Sequence, residues 1–403
     1  MEPKSKSELI TKLGPLLRKF EKDEGLEITD AKEEAACKIG DNYIGILMRT
    51  TVKGTRGNGA SYGKTVMIKY LPHHREIKDL IGTPALFQNE SHFYENILPV
   101  MGNVGPICIH AEKDLIVMED LGPLGYVVQP RRDLLDFDHC LAMIQTLARL
   151  HAGGLALKLK NPAAFTELVS PLEEALFPQS SKKSFGMTVD LSLASAIAQL
   201  EWIEPRSDEL AEGIAFLKTL IEGAYAILQE LVRPGKGKYD VITHGDCWIN
   251  NIMFKHDSSS KIADVKLVDY QISRHVSLAI DFHYFVYSSA RDDVIKERYD
   301  DLVNAYHKTF AQTLREKSIP QRHLNHLTVD WLKSELETYA KYGLITCLWI
   351  SSAVLAEEDE VINMDDVSAD IMELWKKKEF KPAPKLAHRL KFVLLDYMKR
   401  YHV

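Results

Sequence analysis

The chain has 403 residues, of which 45% are hydrophobic and 27% are charged, and its formal net charge is −7. This composition is typical of a folded globular protein and excludes wholesale disorder, collagen and a coiled-coil rod. The negative balance disfavours nucleic acid binding through a globally basic surface. The five cysteines are scattered and form no CxxC pair, which argues against a disulfide framework and a zinc site and favours a reducing compartment.

The N-terminal residues lack the apolar core of a signal peptide. The longest apolar stretch covers residues 344–356, which is shorter than the ~20 residues that a membrane-spanning helix needs. We therefore expect a cytoplasmic protein without membrane insertion. Nothing in the sequence indicates an obligate protein partner.

The N-terminal part of the sequence predicts a helix followed by several strands. Leucine and isoleucine at helical spacing predict an amphipathic helix over residues 7–20. Runs rich in β-branched and aromatic residues predict strands over 42–52 and 64–71, separated by a turn at 53–59. A helix over 85–97 and a short strand over 114–118 follow.

From Phe137 onward the pattern becomes mainly helical, and Gly153 is interpreted as the stop of the first long helix. Two short strands are predicted over 251–254 and 264–268, and further helices follow Asp281. The sequence thus predicts an α+β chain with two lobes. We expect residues 1–120 to form a small β-rich lobe and residues 121–403 to form a large, mainly helical lobe.

The strongest chemical signal lies in the segment VITHGDCWINNIMF, residues 241–254. Asp246 is followed five residues later by Asn251. Phosphoryl transfer needs a carboxylate near the attacking hydroxyl and a neutral oxygen ligand for a magnesium ion, and this spacing supplies both from one loop. The alternative is an aspartate that merely caps a turn.

A second carboxylate, Asp269, ends the apolar strand of VKLVDYQ. An aspartate at a strand end is usually exposed and unremarkable. Following Asp246 and Asn251 in this order, it is interpreted as a second metal ligand.

The N-terminal half contains candidates for binding phosphates and a base. Lys69 lies near the end of an apolar strand and can reach phosphates as a point charge, although a lysine extending to solvent from an edge strand is the simpler interpretation. Glu90, on the following helix, is the favoured ion-pair partner of Lys69, and Glu95 is the competing one. Backbone groups of Met118, Glu119 and Leu121 are candidates for binding an adenine edge.

These elements resemble the ecdysteroid kinase-like family, which belongs with choline kinases and aminoglycoside phosphotransferases. The resemblance runs from about residue 30 to residue 400. Its motifs, in chain order, are GDNY (40–43), FQNESHFYENILP (87–99), VMEDL (117–121), LARLHA (147–152), HGDCWINNIMF (244–254), DYQ (269–271) and DFHYFVYSS (281–289).

The resemblance implies a protein kinase-like fold and transfer of the γ-phosphoryl group of ATP to a small-molecule hydroxyl. It makes Asp246 the catalytic base and gives Asn251 and Asp269 to Mg²⁺. Lys69 and Glu90 then position the phosphates. The Asn42–Tyr43 turn covers the phosphates, and Asp281 braces the catalytic loop. One departure is Gly45, which stands where relatives often have serine.

The family also suggests the acceptor, which we expect to be an apolar molecule with a hydroxyl group, an ecdysteroid first of all. Trp248, two residues after Asp246, and Trp349, on an apolar helix, are candidate acceptor-binding residues, with core packing as the alternative. Detoxification of other alcohols is a second hypothesis, and a catalytically inactive steroid- or lipid-binding protein is a third. A protein kinase is disfavoured because the chain lacks a GxGxxG loop and an HRD tripeptide.

Overall fold

The computed structural model describes residues 3–36, 45–71, 83–178, 185–357 and 381–402. Its N-terminal part is built on a five-stranded antiparallel sheet in the order β1-β2-β3-β5-β4. The strands are β1 (Glu27–Ala35), β2 (Ile46–Thr55), β3 (Ser61–Tyr70), β4 (Cys108–Glu112) and β5 (Leu115–Glu119). Short connections join β2 to β3 and β4 to β5, and they favour antiparallel pairing within each of these pairs.

Helix α1 (Lys6–Glu21) covers one face of this sheet. It begins with a capping box in which Ser5 and Glu8 satisfy each other's backbone N–H groups. Its buried leucines at positions 9, 13 and 17 pack with sheet residues such as Val52 and Val66 in a small separate core. The amphipathic spacing of these leucines is the physical reason for the docking.

The helix after β3 begins as α2 (Thr83–His92), widens into a π-helical turn (Phe93–Ile97) and ends as α3 (Leu98–Met101). All the aromatic residues of this stretch (Phe87, Phe93 and Tyr94) are buried in the main core. The helix therefore links the sheet to the helical part of the protein.

The remainder of the described chain is mainly helical. Its helices are α4 (Phe137–Lys160), α5 (Pro162–Val169), α6 (Phe185–Glu201), α7 (Asp208–Leu220), α8 (Ala224–Leu231), α9 (Ala279–Ser289), α10 (Asp292–Glu316), α11 (Gln321–Leu324), α12 (Val329–Leu355) and α13 (Pro384–Tyr401). Its short strands are β6 (Tyr126–Val128), β7 (Val241–Ile242), β8 (Ile252–His256), β9 (Ile262–Leu267) and β10 (His275–Val276).

Two small sheets organise this part around the loop that joins β7 to β8. Strand β8 lies between β6 and β9, and β7 pairs antiparallel with β10. The predicted strands at 251–254 and 264–268 correspond to β8 and β9. The loop between β7 and β8, which carries the HGD motif, is therefore held at both ends by strand pairing.

Helix α4 corrects one expectation, because it does not stop at Gly153 but continues to Lys160. A Cβ atom on Gly153 would lie 2.9 Å from the backbone oxygen of Met101. The glycine therefore permits close approach of α3 to α4 rather than ending the helix. By length and composition alone α4 could cross a membrane, but 72% of its most apolar window is buried inside the protein, as in a core helix.

Candidate active site

The loop between β7 and β8 is shaped by Gly245. This residue has φ +87°, and a Cβ atom on it would lie only 1.9 Å from the backbone oxygen of Ile272. Glycine tolerates both the positive φ and the close approach, whereas any larger residue would displace the loop. The turn that follows Asp269 therefore packs directly on the residue before Asp246.

Asp281, near the start of α9, holds the same loop from the other side. Its carboxylate accepts hydrogen bonds from the backbone N–H groups of His244 (2.6 Å) and Gly245 (2.8 Å). The His151 ring also contacts it, with 3.0 Å between Nε2 and Oδ2. Burial alone would raise the pKa of Asp281, but its contacts with His151, His244 and Gly245 together outweigh burial and keep the pKa below its ordinary value. Asp281 therefore contacts the backbone of the loop that it was expected to brace.

Asp246 is buried at the centre of this arrangement, with 8% of its surface exposed. The Tyr284 hydroxyl donates to its Oδ1 over 2.8 Å, and Asn251 Nδ2 donates to its Oδ2 over 3.1 Å. Burial, with a smaller effect from the Asp269 carboxylate, raises the pKa of Asp246 to about 7, while the two hydrogen bonds oppose the shift. A carboxylate with a pKa in this range is suited to accept a proton near neutral pH.

Lys69 on β3 brings the sheet and the loop region together. Its Nζ lies 2.6 Å from Glu90 Oε2 and 2.8 Å from Asp269 Oδ1. Burial alone would lower the pKa of Lys69, but the two carboxylates raise it above its ordinary value, so the side chain stays charged. Burial raises the pKa of Glu90, while the charge of Lys69 opposes the shift. The favoured partner Glu90 is thus in contact, and no described contact joins Lys69 to Glu95.

The structure gives a steric reason for Gly45, which stands where relatives often have serine. A Cβ atom at this position would lie 2.5 Å from Lys69 Cε. Glycine therefore lets the lysine side chain pass on its way to Glu90. Asn42 and Tyr43, which precede it, lie outside the described residues.

The backbone of Asp269 is held in an uncommon conformation, with φ +70°, which only a few per cent of non-glycine residues adopt. Its N–H donates to the Tyr94 hydroxyl over 3.2 Å. The ring of the next residue, Tyr270, stacks on Phe93 with 4.0 Å between centroids. The helix that carries Glu90 therefore also positions Asp269.

The polar atoms around Asp246 and Asp269 suit a hard cation that keeps some of its other ligands. Asp269 offers a carboxylate, and Asn251 donates through its nitrogen to Asp246, which leaves its side-chain oxygen as a ligand atom. Within the described ranges there is no cluster of three or more His, Cys, Asp or Glu that would hold a metal alone. Mg²⁺ commonly binds through one or two side chains and completes its octahedron with phosphates and water, so these residues fit it.

The sequence predicts that backbone groups of Met118, Glu119 and Leu121, at the end of β5 and just after it, bind an adenine edge. Some of these groups are already hydrogen-bonded within the protein. The Glu119 N–H donates to Ile107 O over 2.9 Å, and Leu121 O accepts from the N–H groups of Leu124 and Tyr126. The side chains of Met118 and Leu121 are buried. The Leu121 N–H makes no backbone hydrogen bond outside the helices and strands of the described residues, so it is a candidate donor to a ligand.

The two predicted acceptor residues occupy different environments. Trp248 is 4% exposed and belongs to the main core, and its N–H donates to Asp246 O over 3.0 Å. Trp349 is half-buried and packs against the same core from α12. Both placements are compatible with core packing, and their acceptor role stays a prediction.

Sequence reasoning missed Tyr284 and the ion pair between Glu174 and Arg274. Arg274 Nε lies 2.5 Å from Glu174 Oε2. The backbone oxygen of Arg274 accepts a hydrogen bond from the backbone N–H of Thr243 over 2.8 Å. The pair therefore ties the segment at 171–177 to the strand that precedes the HGD motif. For Tyr284 a signal was available, because it follows Asp281 by three residues and so shares its helix face.

We expect Glu174→Ala to lower the free energy of unfolding by about 3 kcal/mol, measured by urea denaturation. The Arg274 side chain is only 4% exposed and would be left without its counter-charge. The value lies at the low end for breaking a buried pair because the Glu174 side chain keeps 21% exposure. Glu173→Ala, at the exposed neighbouring position, is the matched control, and equal stabilities of the two variants would contradict the assignment.

A comparison with solved structures finds similar chains at low sequence identity. ADP-bound aminoglycoside phosphotransferase APH(2'')-Ib is 13% identical and has a TM-score of 0.34, with 85% of this chain and 98% of that chain covered. The streptomycin–ATP–APH(2'')-IIa ternary complex is 12% identical, with a TM-score of 0.32 and coverages of 87% and 97%. A choline/ethanolamine kinase family protein from Mesorhizobium loti is 10% identical, with a TM-score of 0.34 and coverages of 90% and 92%.

No curated protein matches the chain. The model of the ecdysteroid kinase-like family matches residues 39–318, which is more than half of the sequence. The predicted α+β class, with a small antiparallel sheet in the N-terminal part and a mostly helical remainder, is confirmed, and the family match supports a small-molecule kinase. The chain belongs to the ecdysteroid kinase-like family.

Proposed function

We propose that the protein is an ATP-dependent kinase that phosphorylates a hydroxyl group of a small apolar molecule, with an ecdysteroid as the leading acceptor. One observation supports this most strongly. Lys69 bridges Glu90 and Asp269, while Asp246 and Asn251 are hydrogen-bonded to each other in the adjoining loop. Phosphoryl transfer requires this combination of a phosphate-binding cation, metal ligands and a carboxylate base.

In the proposed reaction the acceptor oxygen attacks the γ-phosphorus of ATP. A new phosphorus–oxygen bond forms, and the bond to the bridging oxygen breaks, with its electron pair leaving on ADP. Asp246 takes the proton of the acceptor hydroxyl. Its raised pKa of about 7 makes it a better proton acceptor than an ordinary aspartate.

The other residues bind and orient the nucleotide in this proposal. The Lys69 ammonium pairs with phosphate oxygens, and Glu90 keeps the lysine extended. The Leu121 N–H donates to the adenine edge. Asn251 and Asp269 would hold Mg²⁺, which neutralises the charge of the phosphates when bound.

The acceptor class rests on the family, which is described as ecdysteroid kinase-like. An apolar cleft bordered by Trp248 and α12 would suit a steroid skeleton with few polar groups. A choline-type acceptor would instead need carboxylates and an aromatic cage around its cation.

The direct test incubates the purified protein with ATP, Mg²⁺ and a hydroxylated ecdysteroid, and it detects the phosphorylated product by mass spectrometry. Product that depends on ATP and is absent with Asp246→Asn supports the proposal. Activity on other alcohols but not on ecdysteroids would indicate a detoxifying kinase. Steroid binding without any phosphorylated product would indicate an inactive binding protein and overturn the proposal.

We also expect ecdysteroids to bind more tightly than choline or an aminoglycoside. An apolar cleft gains affinity by removing apolar surface from water, at about 25 cal/mol for each Å², and offers no compensation for a desolvated cation. Competition calorimetry at saturating MgATP measures the order of affinities. Tighter binding of choline than of any ecdysteroid would refute the acceptor class and leave the kinase assignment standing.

A further inference from the structure

Helix α9 carries two side chains that reach the catalytic loop, and they lie one turn apart. Asp281 accepts hydrogen bonds from the backbone of His244 and Gly245, and Tyr284 donates to the side chain of Asp246. Residues three apart on a helix share one face. A single face of α9 therefore holds both the backbone of the loop and the carboxylate that it presents.

The two oxygens of Asp246 are held by different partners. Tyr284 occupies Oδ1 at 2.8 Å, and Asn251 occupies Oδ2 at 3.1 Å. With one donor on each oxygen, rotation of the carboxylate about its Cβ–Cγ bond would break at least one hydrogen bond. The carboxylate still has lone pairs to accept a further proton, because each oxygen can accept more than one hydrogen bond.

We infer that Tyr284 is a positioning residue that holds Asp246 in the orientation needed to accept the proton of the acceptor hydroxyl. This inference rests on the proposed kinase function. Tyr284 keeps its own proton throughout, and the proton of the acceptor moves to Asp246. Burial raises the pKa of the Tyr284 hydroxyl well above its usual value, so the group remains a donor.

A purely structural role is the alternative, since a buried tyrosine hydroxyl needs a hydrogen-bond partner wherever it lies. The chain offers a matched control on the same helix. Tyr287 is also buried, and its hydroxyl donates to a carboxylate outside the site, Asp396, over 3.1 Å. Tyr287→Phe removes a similar contact without touching Asp246.

The experiment compares kcat, the KM values for ATP and acceptor, and the melting temperature of the wild type, Tyr284→Phe and Tyr287→Phe. We expect Tyr284→Phe to lower kcat about 10-fold, which is less than the 10²–10⁴-fold range for loss of a general base. Both KM values should stay within about twofold, because substrate contacts are unchanged. Tyr284→Phe and Tyr287→Phe should lower the melting temperature by similar amounts, but Tyr287→Phe should leave kcat unchanged.

The outcomes separate this inference from the proposed function. An active wild type with equal kcat in Tyr284→Phe would overturn the inference alone, as would a loss of kcat that Tyr287→Phe reproduces. A wild type without activity would contradict the kinase proposal. In that case a crystal structure of Tyr284→Phe still decides the geometric part of the inference, that Tyr284 holds the Asp246 carboxylate in place. A rotated or disordered Asp246 carboxylate would support it, and an unchanged carboxylate would overturn it.

Discussion

Asp246→Asn should remove turnover and leave ATP binding intact. An asparagine has the shape of aspartate and can still accept the hydrogen bond from Tyr284, so the loop should keep its conformation. The asparagine side chain cannot take a proton from a hydroxyl, and this proton transfer lowers the energy mainly of the transition state. We expect kcat to fall on the order of 10²–10⁴-fold, with ATP affinity measured in parallel by calorimetry.

Asp264→Asn is the matched control for this experiment. Asp264 also accepts a hydrogen bond from a tyrosine, with 2.6 Å between its Oδ2 and the Tyr126 hydroxyl, but it lies on β9 away from the loop. Its variant should retain the activity of the parent. If Asp246→Asn kept more than about a tenth of the parental kcat, Asp246 would not be the general base.

The second large effect concerns the metal. We expect MgATP to stabilise the parent protein and Asp269→Ala to abolish that stabilisation, because the variant loses a proposed ligand of Mg²⁺ and one of the two carboxylates on Lys69. A ligand at 100 times its dissociation constant stabilises the folded state by about 2.7 kcal/mol. The measurement is a melting curve at saturating ATP, with and without Mg²⁺.

The same variant without nucleotide is the internal reference, since loss of the contact with Lys69 shifts the baseline melting temperature. The quantity compared between the parent and Asp269→Ala is the rise in melting temperature that MgATP adds to each protein's own baseline. An increment as large as that of the parent would show that Asp269 is not needed to hold the metal–nucleotide complex.

Strands β2, β3 and β5 were predictable because they are rich in β-branched and aromatic residues, but β1 and β4 were not. The sequence of β1, EITDAKEEA, is dominated by charged residues, which occur rarely in strands. Glu33 on this strand is nevertheless buried. Its carboxylate accepts hydrogen bonds from the Tyr70 hydroxyl (2.8 Å) and the Lys4 N–H (2.9 Å). Partners from distant parts of the chain decide this burial, and no local pattern shows them.

The candidate site was predictable to the extent that motifs preserve their order along the chain. The resemblance brought Lys69 and Asp269 into one hypothesis although they are 200 residues apart. It could not supply Tyr284, whose contact depends on how α9 packs beneath the loop. The assigned roles remain predictions until the variants are measured, whereas the contacts between the side chains are features of the structure.

Helix α9 is buried at every one of its 11 positions, and α12 packs closely against it. A Cβ atom on Gly343 of α12 would lie 2.7 Å from the Cβ atom of His283. The orientation of the Asp246 carboxylate, which accepts a hydrogen bond from Tyr284, therefore depends on a helix that is buried along its whole length. We therefore expect core substitutions that displace Asp281 or Tyr284 to alter turnover as well as stability, whereas Tyr287→Phe, which leaves that face of α9 in place, should change stability alone.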